Sequence, residues 1–254
     1  MKRRNWTRDE LILAFNLYCK VPFGSMHSKN PKVIELSNII DRSPNAVALK
    51  LTNFASFDPN LKSRGIKGMK NAGKQDEEVW HEFTNNWEDL IFESEKLLAK
   101  FQNIEIDSVI EEQSSSTNLF GEDKNRTVKT RINQSFFRQI ILNNYNYKCA
   151  ICDLNIQELL IAGHIIPWSI DKKERLNPQN GICLCSLHDK AFDVGLIGID
   201  ISYKVIISEK LSKMEGEQYF KMYFGNFKNK QISLPEKFHP HIDFIQFHLD
   251  NIFM

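Results

Sequence analysis

The spacing of apolar positions predicts three helices in the N-terminal part of the chain. In residues 7–19 apolar side chains recur on one helical face, and Thr7 stands as an N-cap with Glu10 three places on. A second helix is predicted over residues 31–40. A third is predicted over residues 43–54, with serine as its N-cap and proline at its first helical position. Three helices with a tight turn before the last one indicate a helix-turn-helix pattern.

The third helix and the turn before it carry side chains that suit contact with DNA. The Trp6-Thr7 opening, followed by an acidic residue, and the Arg-Ser-Pro before the last helix resemble the Myb/SANT branch of homeodomain-like folds. The alternative is a small bundle that packs on the rest of the protein. We therefore predict that residues 1–101 form a helical domain that recognises DNA or a partner. Its candidate DNA contacts are Arg42, Asn45, Lys50 and Asn53.

A longer amphipathic pattern follows these helices. Its apolar stripe predicts one continuous helix from Asp76 to about Phe101 with a strongly acidic polar face, which we interpret as a connector or a dimer-forming helix. Residues 102–124 contain a run of Glu, Gln, Ser, Thr and Asn whose composition is typical of disorder. We predict that this stretch is the linker between two domains.

The C-terminal half alternates short apolar runs with helical patterns. The fold class predicted is therefore α+β, with the helical domain first and a mixed domain over residues 125–254. The elements predicted for this domain are a helix over 134–144, strands at 164 and 182–184, a helix over 186–194, a hairpin within 197–208 and a last helix after 240.

Length, hydropathy and charge narrow the class of protein. No apolar run approaches the roughly 20 residues that a membrane span needs, and no signal-peptide core follows the basic start, so we expect a cytoplasmic protein.

The net charge of +1 results from basic and acidic segments that are separated along the chain. Residues 1–75 carry 14 Lys and Arg against 5 Asp and Glu, residues 76–123 carry 2 against 14, and the remainder carry 17 against 13. Basic lobes around an acidic segment fit a protein that touches a polyanion, although a solvated basic face is the alternative.

Four of the five cysteines cluster in the C-terminal half, which favours a metal site over a disulfide framework. Cys149-x-x-Cys152 and Cys185-x-x-His188 have the two-knuckle spacing of a tetrahedral zinc site. Cys183, two residues before Cys185, is an alternative fourth ligand. Buried free cysteines are the other interpretation of this pattern.

The same region carries residues suited to phosphodiester hydrolysis, which needs an activated water, a cation and a rigid frame. A neutral histidine is a natural base near pH 7, because its unperturbed pKa is about 6.5. Asp189 and Asp193 are spaced i, i+4 on the predicted helix. Both can therefore face one Mg²⁺ or Mn²⁺ ion.

Three ordered motifs lie between residues 164 and 195, and a fourth block runs upstream from Arg131 through Arg138 to Tyr147-Lys-Cys149. The motifs are His164-Ile165-Ile166-Pro167-Trp168, Asn180-Gly181-Ile182-Cys183-Leu184 and Asp189-Lys190-Ala191-Phe192-Asp193-Val194-Gly195. With these motifs, residues 126–253 resemble the HNH endonucleases of the ββα-metal (His-Me finger) superfamily, and in particular the branch found in restriction enzymes.

The resemblance implies a role for each motif residue. His164 would be the general base, Asn180 would pin the loop that orients it, and His188 would be the closing histidine that binds a metal or a phosphate. Asp189 or Asp193 would complete the shell of the catalytic Mg²⁺ or Mn²⁺. A zinc clamp often surrounds this core in the family, and His188 cannot readily serve both ions.

One position departs from the family pattern. Many HNH enzymes place an Asp or His just before the base, as a metal ligand, whereas this chain has Gly163. The ion must therefore depend more on residues 188–193. Arg131 and Arg138 are expected to contact DNA, and Lys172, Lys173 and Arg175 flank the site and could hold phosphates.

The resemblance predicts a metal-dependent endonuclease that acts on double-stranded DNA, of the restriction or phage-defence kind. HNH modules typically cut one strand per site, so a double-strand cut would need a homodimer or two binding events. The alternative is a non-catalytic, zinc-stabilised DNA-binding regulator that retains the HNH scaffold.

Overall fold

The computed structural model describes residues 4–67, 73–104 and 122–254. The chain divides into two compact units, Met1–Ile140 and Ile141–Met254. Most of the predicted linker at 102–124 lies outside the described residues, and the domain boundary predicted at residue 125 stays a prediction. The division between the units falls within one long helix, Glu122–Asn144.

The first unit is helical. The three predicted N-terminal helices are confirmed, and Thr7 and Glu10 form a capping box at the start of the first one. The helices with bounds in this unit are α1 (Arg8–Lys20), α2 (Pro31–Ile39), α3 (Pro44–Ala55), α4 (Pro59–Ser63), α5 (Lys74–Asn85) and α6 (Trp87–Gln102), and the long helix Glu122–Asn144 is α7. That α2 and α3 act as a helix-turn-helix reader remains a prediction.

The long helix predicted from Asp76 to Phe101 is two helices, α5 and α6. The chain breaks at Asn86, whose backbone (φ −150°, ψ 68°) is not helical. Asparagine accommodates this break because its amide competes with helical backbone hydrogen bonds. The interpretation as a connector is also wrong, because the apolar stripe packs on α1. The Phe15 ring lies 5.3 Å from the Trp80 ring and 4.5 Å from the Phe83 ring, between centroids.

Two of the predicted DNA contacts on α3 point into the unit. Lys50 Nζ lies 2.8 Å from both carboxylate oxygens of Asp76, and the Asn53 amide donates to the same carboxylate at 3.0 Å. All three side chains are buried. The prediction that Lys50 and Asn53 contact DNA is therefore corrected: they fix α3 to the first turn of α5.

Arg42 is also engaged within the unit. Its guanidinium donates to Glu10 at 2.7 Å and to the Asn5 carbonyl at 2.7 Å, and it lies 4.2 Å from the centroid of the Trp6 ring. Arg42 thus joins the turn before α3 to the start of α1 instead of presenting its charge to DNA. Of the four candidates on this unit, Asn45 is the one that is exposed.

The second unit contains two hairpin-like strand pairs. β1 (Leu160–His164) and β2 (Gly181–Cys185) are antiparallel, with His164 opposite Gly181 and Leu160 opposite Cys185. α8 (Ser186–Asp193) follows β2 without a loop, which completes a ββα unit. β3 (Ile197–Ile199) and β4 (Val205–Ile207) confirm the predicted hairpin. The remaining helices are α9 (Glu209–Ser212), α10 (Gln218–Tyr223) and α11 (Ile242–Asn251). Helices together with small antiparallel sheets agree with the predicted α+β class.

The C-terminal helix fixes the end of α8. Gly195 has a φ of +70°, and a side chain there would meet the Ile252 carbonyl at 2.0 Å, so that only glycine fits. The His248 ring stacks on the Phe192 ring at 3.7 Å between centroids, and its Nε2 contacts the Phe192 carbonyl at 3.0 Å. The helix that carries Asp189 and Asp193 is therefore held at its C-terminal end. No helix among the described residues has the length and apolar character needed to cross a membrane.

The ion pair on Asp76 gives a prediction about stability. Asp76→Ala leaves the buried Lys50 ammonium without its carboxylate, so we expect the free energy of unfolding of the first unit to fall by about 3–5 kcal/mol. Chemical denaturation followed by tryptophan fluorescence measures this, since Trp6, Trp80 and Trp87 lie in that unit and Trp168 does not.

The matched control is Asn45→Ala, on the same helix but exposed. Its effect should stay within about 0.5 kcal/mol. Equal stability of the two variants would contradict a stabilising role for the buried pair.

Candidate active site and metal centre

Asn180 holds together the loop between the two site strands. Its buried side chain accepts a hydrogen bond from the Ile166 amide at 2.7 Å and donates to the carbonyls of Ile166 and Glu174 at 3.2 and 3.1 Å. The Asn180 carbonyl also accepts from the Ile165 amide at 2.9 Å. One amide group thus ties both ends of the loop to the end of β1, where His164 lies.

His164 is oriented by a backbone carbonyl. Its Nε2 lies 2.8 Å from the Arg175 carbonyl oxygen, and because that oxygen can only accept, Nε2 carries the proton. In the neutral ring Nδ1 is then the basic nitrogen. Burial lowers the pKa of His164, and the Arg175 charge acts in the same direction, although the carbonyl bond and Asp193 oppose them. The imidazole is therefore neutral near pH 7, as a general base requires.

Asp189 occupies the space beside the residue that departs from the family pattern. A Cβ built on Gly163 would lie 2.5 Å from Asp189 Oδ1. Burial raises the pKa of Asp189 to about 6, with a smaller contribution from the charge of Asp193. Two carboxylates that repel each other are the donor set a divalent cation would stabilise, because the ion favours their charged forms. The negative charge of Asp193 also acts to raise the pKa of His164, so Asp193 interacts electrostatically with both Asp189 and His164.

Four further side chains form a second cluster, which we call the Cys₃His cluster. Among the described residues, Cys149, Cys152, Cys185 and His188 place one ligand atom each within 4.8 Å of one another. Three sulfurs and one imidazole are a typical donor set for tetrahedral zinc, so the cluster fits a zinc-type metal. Hydrogen bonds among the three thiols lower the pKa of Cys185 and raise that of Cys152, so the metal-free cluster favours one thiolate at Cys185.

His188 belongs to the Cys₃His cluster with both of its ring nitrogens engaged. Nδ1 lies 3.3 Å from the Cys185 sulfur and 3.6 Å from the Cys149 sulfur, and Nε2 lies 2.8 Å from the Tyr223 carbonyl. Such a carbonyl fixes the tautomer and the ring plane of a metal-binding histidine. The structure therefore places His188 with the cysteines, which favours the zinc role over the part in the reaction that the resemblance also implied. Cys183, the alternative fourth ligand, is buried on β2 and is not part of the cluster.

The Tyr223 carbonyl, which contacts His188 Nε2, was not predicted from the sequence. It lies in the segment after β4, for which no helix was predicted and where the structure has α9 and α10. Phe224 and Phe227 place their rings 6.0 and 5.4 Å from the His188 ring. The i, i+4 spacing of the buried Phe220 and Phe224 was the available signal for a helical turn.

The two predicted DNA contacts upstream of the site lie on α7. Arg138 is exposed and Arg131 is partly exposed, and both belong to the first unit, Met1–Ile140. Their contact with DNA stays a prediction.

The second unit thus contains a ββα module, formed by the strand pair and the helix that follows it, together with a cysteine–histidine cluster that could hold a metal ion. Residues 149–200 match the family model described as HNH endonuclease. The matched segment contains the Cys₃His cluster and the site residues from His164 to Asp193, so this part of the chain belongs to the HNH superfamily, which implies nuclease activity in general. No curated protein matches the chain.

The Cys₃His cluster gives a prediction about metal content. Protein purified without chelators should contain about one equivalent of zinc, as a closed four-ligand site does. Cys149→Ser should lose most of it, because one of the four donors is gone. Elemental analysis by mass spectrometry measures this.

Cys183→Ala is the control, since it removes a buried thiol of the same strand region without touching the cluster. It should keep its zinc. Wild-type protein that contains none would contradict the site.

Proposed function

We propose that the chain is a metal-dependent endonuclease that hydrolyses phosphodiester bonds of double-stranded DNA, with His164 as the general base. The observation that carries the proposal is the state of this imidazole. Nε2 is held by a backbone carbonyl, and burial lowers the pKa of the ring, so the imidazole is in the neutral form that a general base needs at neutral pH. A base of this kind contributes about 10²–10⁴-fold to a hydrolysis rate.

Asp189 and Asp193 would hold the catalytic ion. Their i, i+4 spacing places both carboxylates on one face of α8, and hard oxygen ligands suit Mg²⁺ or Mn²⁺. The bound ion would stabilise charge on the phosphate and on the leaving oxygen. The absence of an acidic residue at position 163 does not contradict this assignment, because the Asp189 carboxylate fills the space beside Gly163.

Zinc would have a separate, structural role. The Cys₃His cluster joins the start of the matched segment to the β2–α8 junction, and its four protein ligands leave no open position for a reacting water. In this arrangement His188 positions the first turn of α8 while Asn180 positions the loop that carries Arg175. Each supports the site without taking part in the chemistry.

The biological role we propose is restriction or phage defence, with the first unit selecting the target. The support is the charge segregation along the chain, in which residues 1–75 have a net charge of +9 and the part after residue 123 has a net charge of +4. Because a single HNH module would cut one strand, we propose a homodimer or two binding events for a double-strand cut.

The role of His164 predicts a separation of cleavage from binding. His164→Ala should reduce plasmid cleavage in Mg²⁺ or Mn²⁺ by about 10²–10⁴-fold, since the water loses its base. DNA affinity measured in Ca²⁺ should change little. His81→Ala, an exposed histidine of the first unit, is the matched control and should cleave as the wild type does.

The outcome also discriminates between the two functions. Full binding with no cleavage by the wild-type protein in any divalent ion would reject the nuclease and favour the non-catalytic regulator. Unchanged cleavage by His164→Ala would reject this residue as the base.

The contact between Gly163 and Asp189 predicts how the catalytic ion can be weakened without removing a ligand. Gly163→Ala forces the Asp189 carboxylate to move, and a displaced ligand should lower Mn²⁺ affinity by about 10–100-fold. Electron paramagnetic resonance titration of zinc-loaded protein with Mn²⁺ measures this directly.

Gly216→Ala is the matched control, because a Cβ there would meet nothing within 4 Å. Equal Mn²⁺ affinities of the two glycine variants would show that Asp189 does not bind the ion.

A further inference from the structure

Arg175 is held by Trp168, whose ring contacts the His164 imidazole. Its Nε donates to the Trp168 carbonyl at 2.7 Å, and its Cζ lies 4.9 Å from the centroid of the Trp168 ring. The Trp168 ring in turn lies 5.4 Å from the His164 ring, edge to face. The backbone carbonyl of Arg175 is the group that accepts from His164 Nε2. The main chain of Arg175 therefore binds the imidazole directly, and its side chain binds the tryptophan that packs on this imidazole.

The two terminal nitrogens of this guanidinium are not used by the fold. Within the part of the chain that the structure describes, Nη1 and Nη2 of Arg175 make no hydrogen bond or ion pair. In Arg42, by contrast, the terminal nitrogens donate hydrogen bonds to Glu10 and to two backbone carbonyls. Arg175 is also only half-buried, so that a ligand can reach it. A partly desolvated guanidinium held at Nε alone has the form of an anion-binding group.

Its surroundings fit a phosphate better than another anion. When water attacks a phosphodiester, negative charge grows on the two nonbridging oxygens, and a planar guanidinium matches that pair with two parallel N–H donors. The Arg175 Cζ and the His164 ring lie 4.9 and 5.4 Å from the centroid of the same Trp168 ring. A phosphorus atom close enough for attack by water at His164 would therefore lie within the field of Arg175.

We propose that Arg175 is a further catalytic residue, whose Nη1 and Nη2 donate hydrogen bonds to the nonbridging oxygens of the phosphate under attack. This inference rests on the proposed nuclease function. In the step, the water oxygen forms a bond to phosphorus and its proton passes to His164 Nδ1. The bond from phosphorus to the leaving sugar oxygen breaks, and that oxygen takes a proton from solvent. Arg175 keeps its protons throughout.

The neighbouring lysines serve as a contrast. Lys172 and Lys173 are exposed, and within the described residues their side chains make no hydrogen bond or ion pair like the one that joins Arg175 to Trp168. Charges of this kind attract a polyanion over a distance but do not orient one phosphate. They should act on DNA binding, and Arg175 should act on the reaction.

The experiment compares a small substrate with DNA. Bis(p-nitrophenyl) phosphate presents a phosphodiester with no groove or flanking phosphates, so it reports only on groups at the reacting phosphate. Arg175→Ala should lower kcat by about 10²-fold on this diester and on plasmid DNA, as the loss of a transition-state donor does. Arg175→Lys should recover only part of the rate, because an ammonium lacks the fork. The Lys172→Ala, Lys173→Ala double variant should weaken DNA cleavage and leave the small diester unchanged.

Chemical rescue provides a readout that a structural role would not move. Millimolar guanidinium chloride should raise the rate of Arg175→Ala several-fold and should not raise that of the wild type. If the wild type cleaves DNA and not the small diester, the role of Arg175 is tested on DNA. The measurements are then kcat, DNA affinity in Ca²⁺ and the rescue by guanidinium. Should Arg175→Ala lose zinc or thermal stability, Arg175→Lys carries the test, and an unchanged kcat contradicts the proposal.

Two failures are distinguishable. A wild-type protein that hydrolyses neither substrate overturns the nuclease function and this inference with it. A wild-type protein that hydrolyses DNA, beside an Arg175→Ala variant with the same kcat and no response to guanidinium, overturns the role of Arg175 alone.

Discussion

The geometry of the second unit depends on the junction at which β2 passes directly into α8. Successive residues of a helix point about 100° apart and rise by about 1.5 Å. His188 and Asp189 are consecutive at this junction, so one turn of helix faces two sites at once. His188 joins the cysteines, while Asp189 lies against Gly163 on β1. Any shift of this turn changes both sites together.

The supports of that turn come from parts of the chain far apart in sequence. Cys149 reaches it from before β1, and Tyr223 reaches it from α10. At the other end of α8, the C-terminal helix stacks His248 on Phe192. Because α8 has only eight residues, it would be marginal by itself, and most of its stability must come from these tertiary contacts. The proposed ligands Asp189 and Asp193 thus lie on a helix anchored at both ends.

The sequence predicted well wherever a local spacing decides the structure. The Thr7–Glu10 capping box, the Ser43-Pro44 start of α3 and the two-knuckle spacing of the cysteines each need only neighbouring residues, and the structure has all three. The choice between His188 and Cys183 was left open by the spacing alone. The structure decides it, because His188 Nδ1 lies 3.3 Å from the Cys185 sulfur within the cluster, whereas Cys183 is buried on β2 and is not one of the four ligands.

The failures have a common physical cause, which is a partner distant in sequence. Lys50 and Asn53 have the composition of a DNA-reading surface, but Asp76 lies 26 and 23 residues away and draws both into the interior. Tyr223 lies 35 residues from His188, and it contributes a backbone carbonyl, which no side-chain pattern records. Periodicity also could not separate α5 from α6, because Asn86 breaks the helix without shifting the apolar stripe away from α1.

The close approach of Asp189 to Gly163 means that an acidic side chain at position 163 would have to displace the Asp189 carboxylate. An aspartate introduced at 163 would meet the existing carboxylate at its first side-chain atom, so it would not simply add a ligand of the kind many relatives have. An exchange without this displacement would combine two changes, an acid placed on the strand and a small residue placed on the helix. A carboxylate could in this way be transplanted from α8 to β1, and the ion would then take its ligand from the sheet while zinc continued to hold the helix.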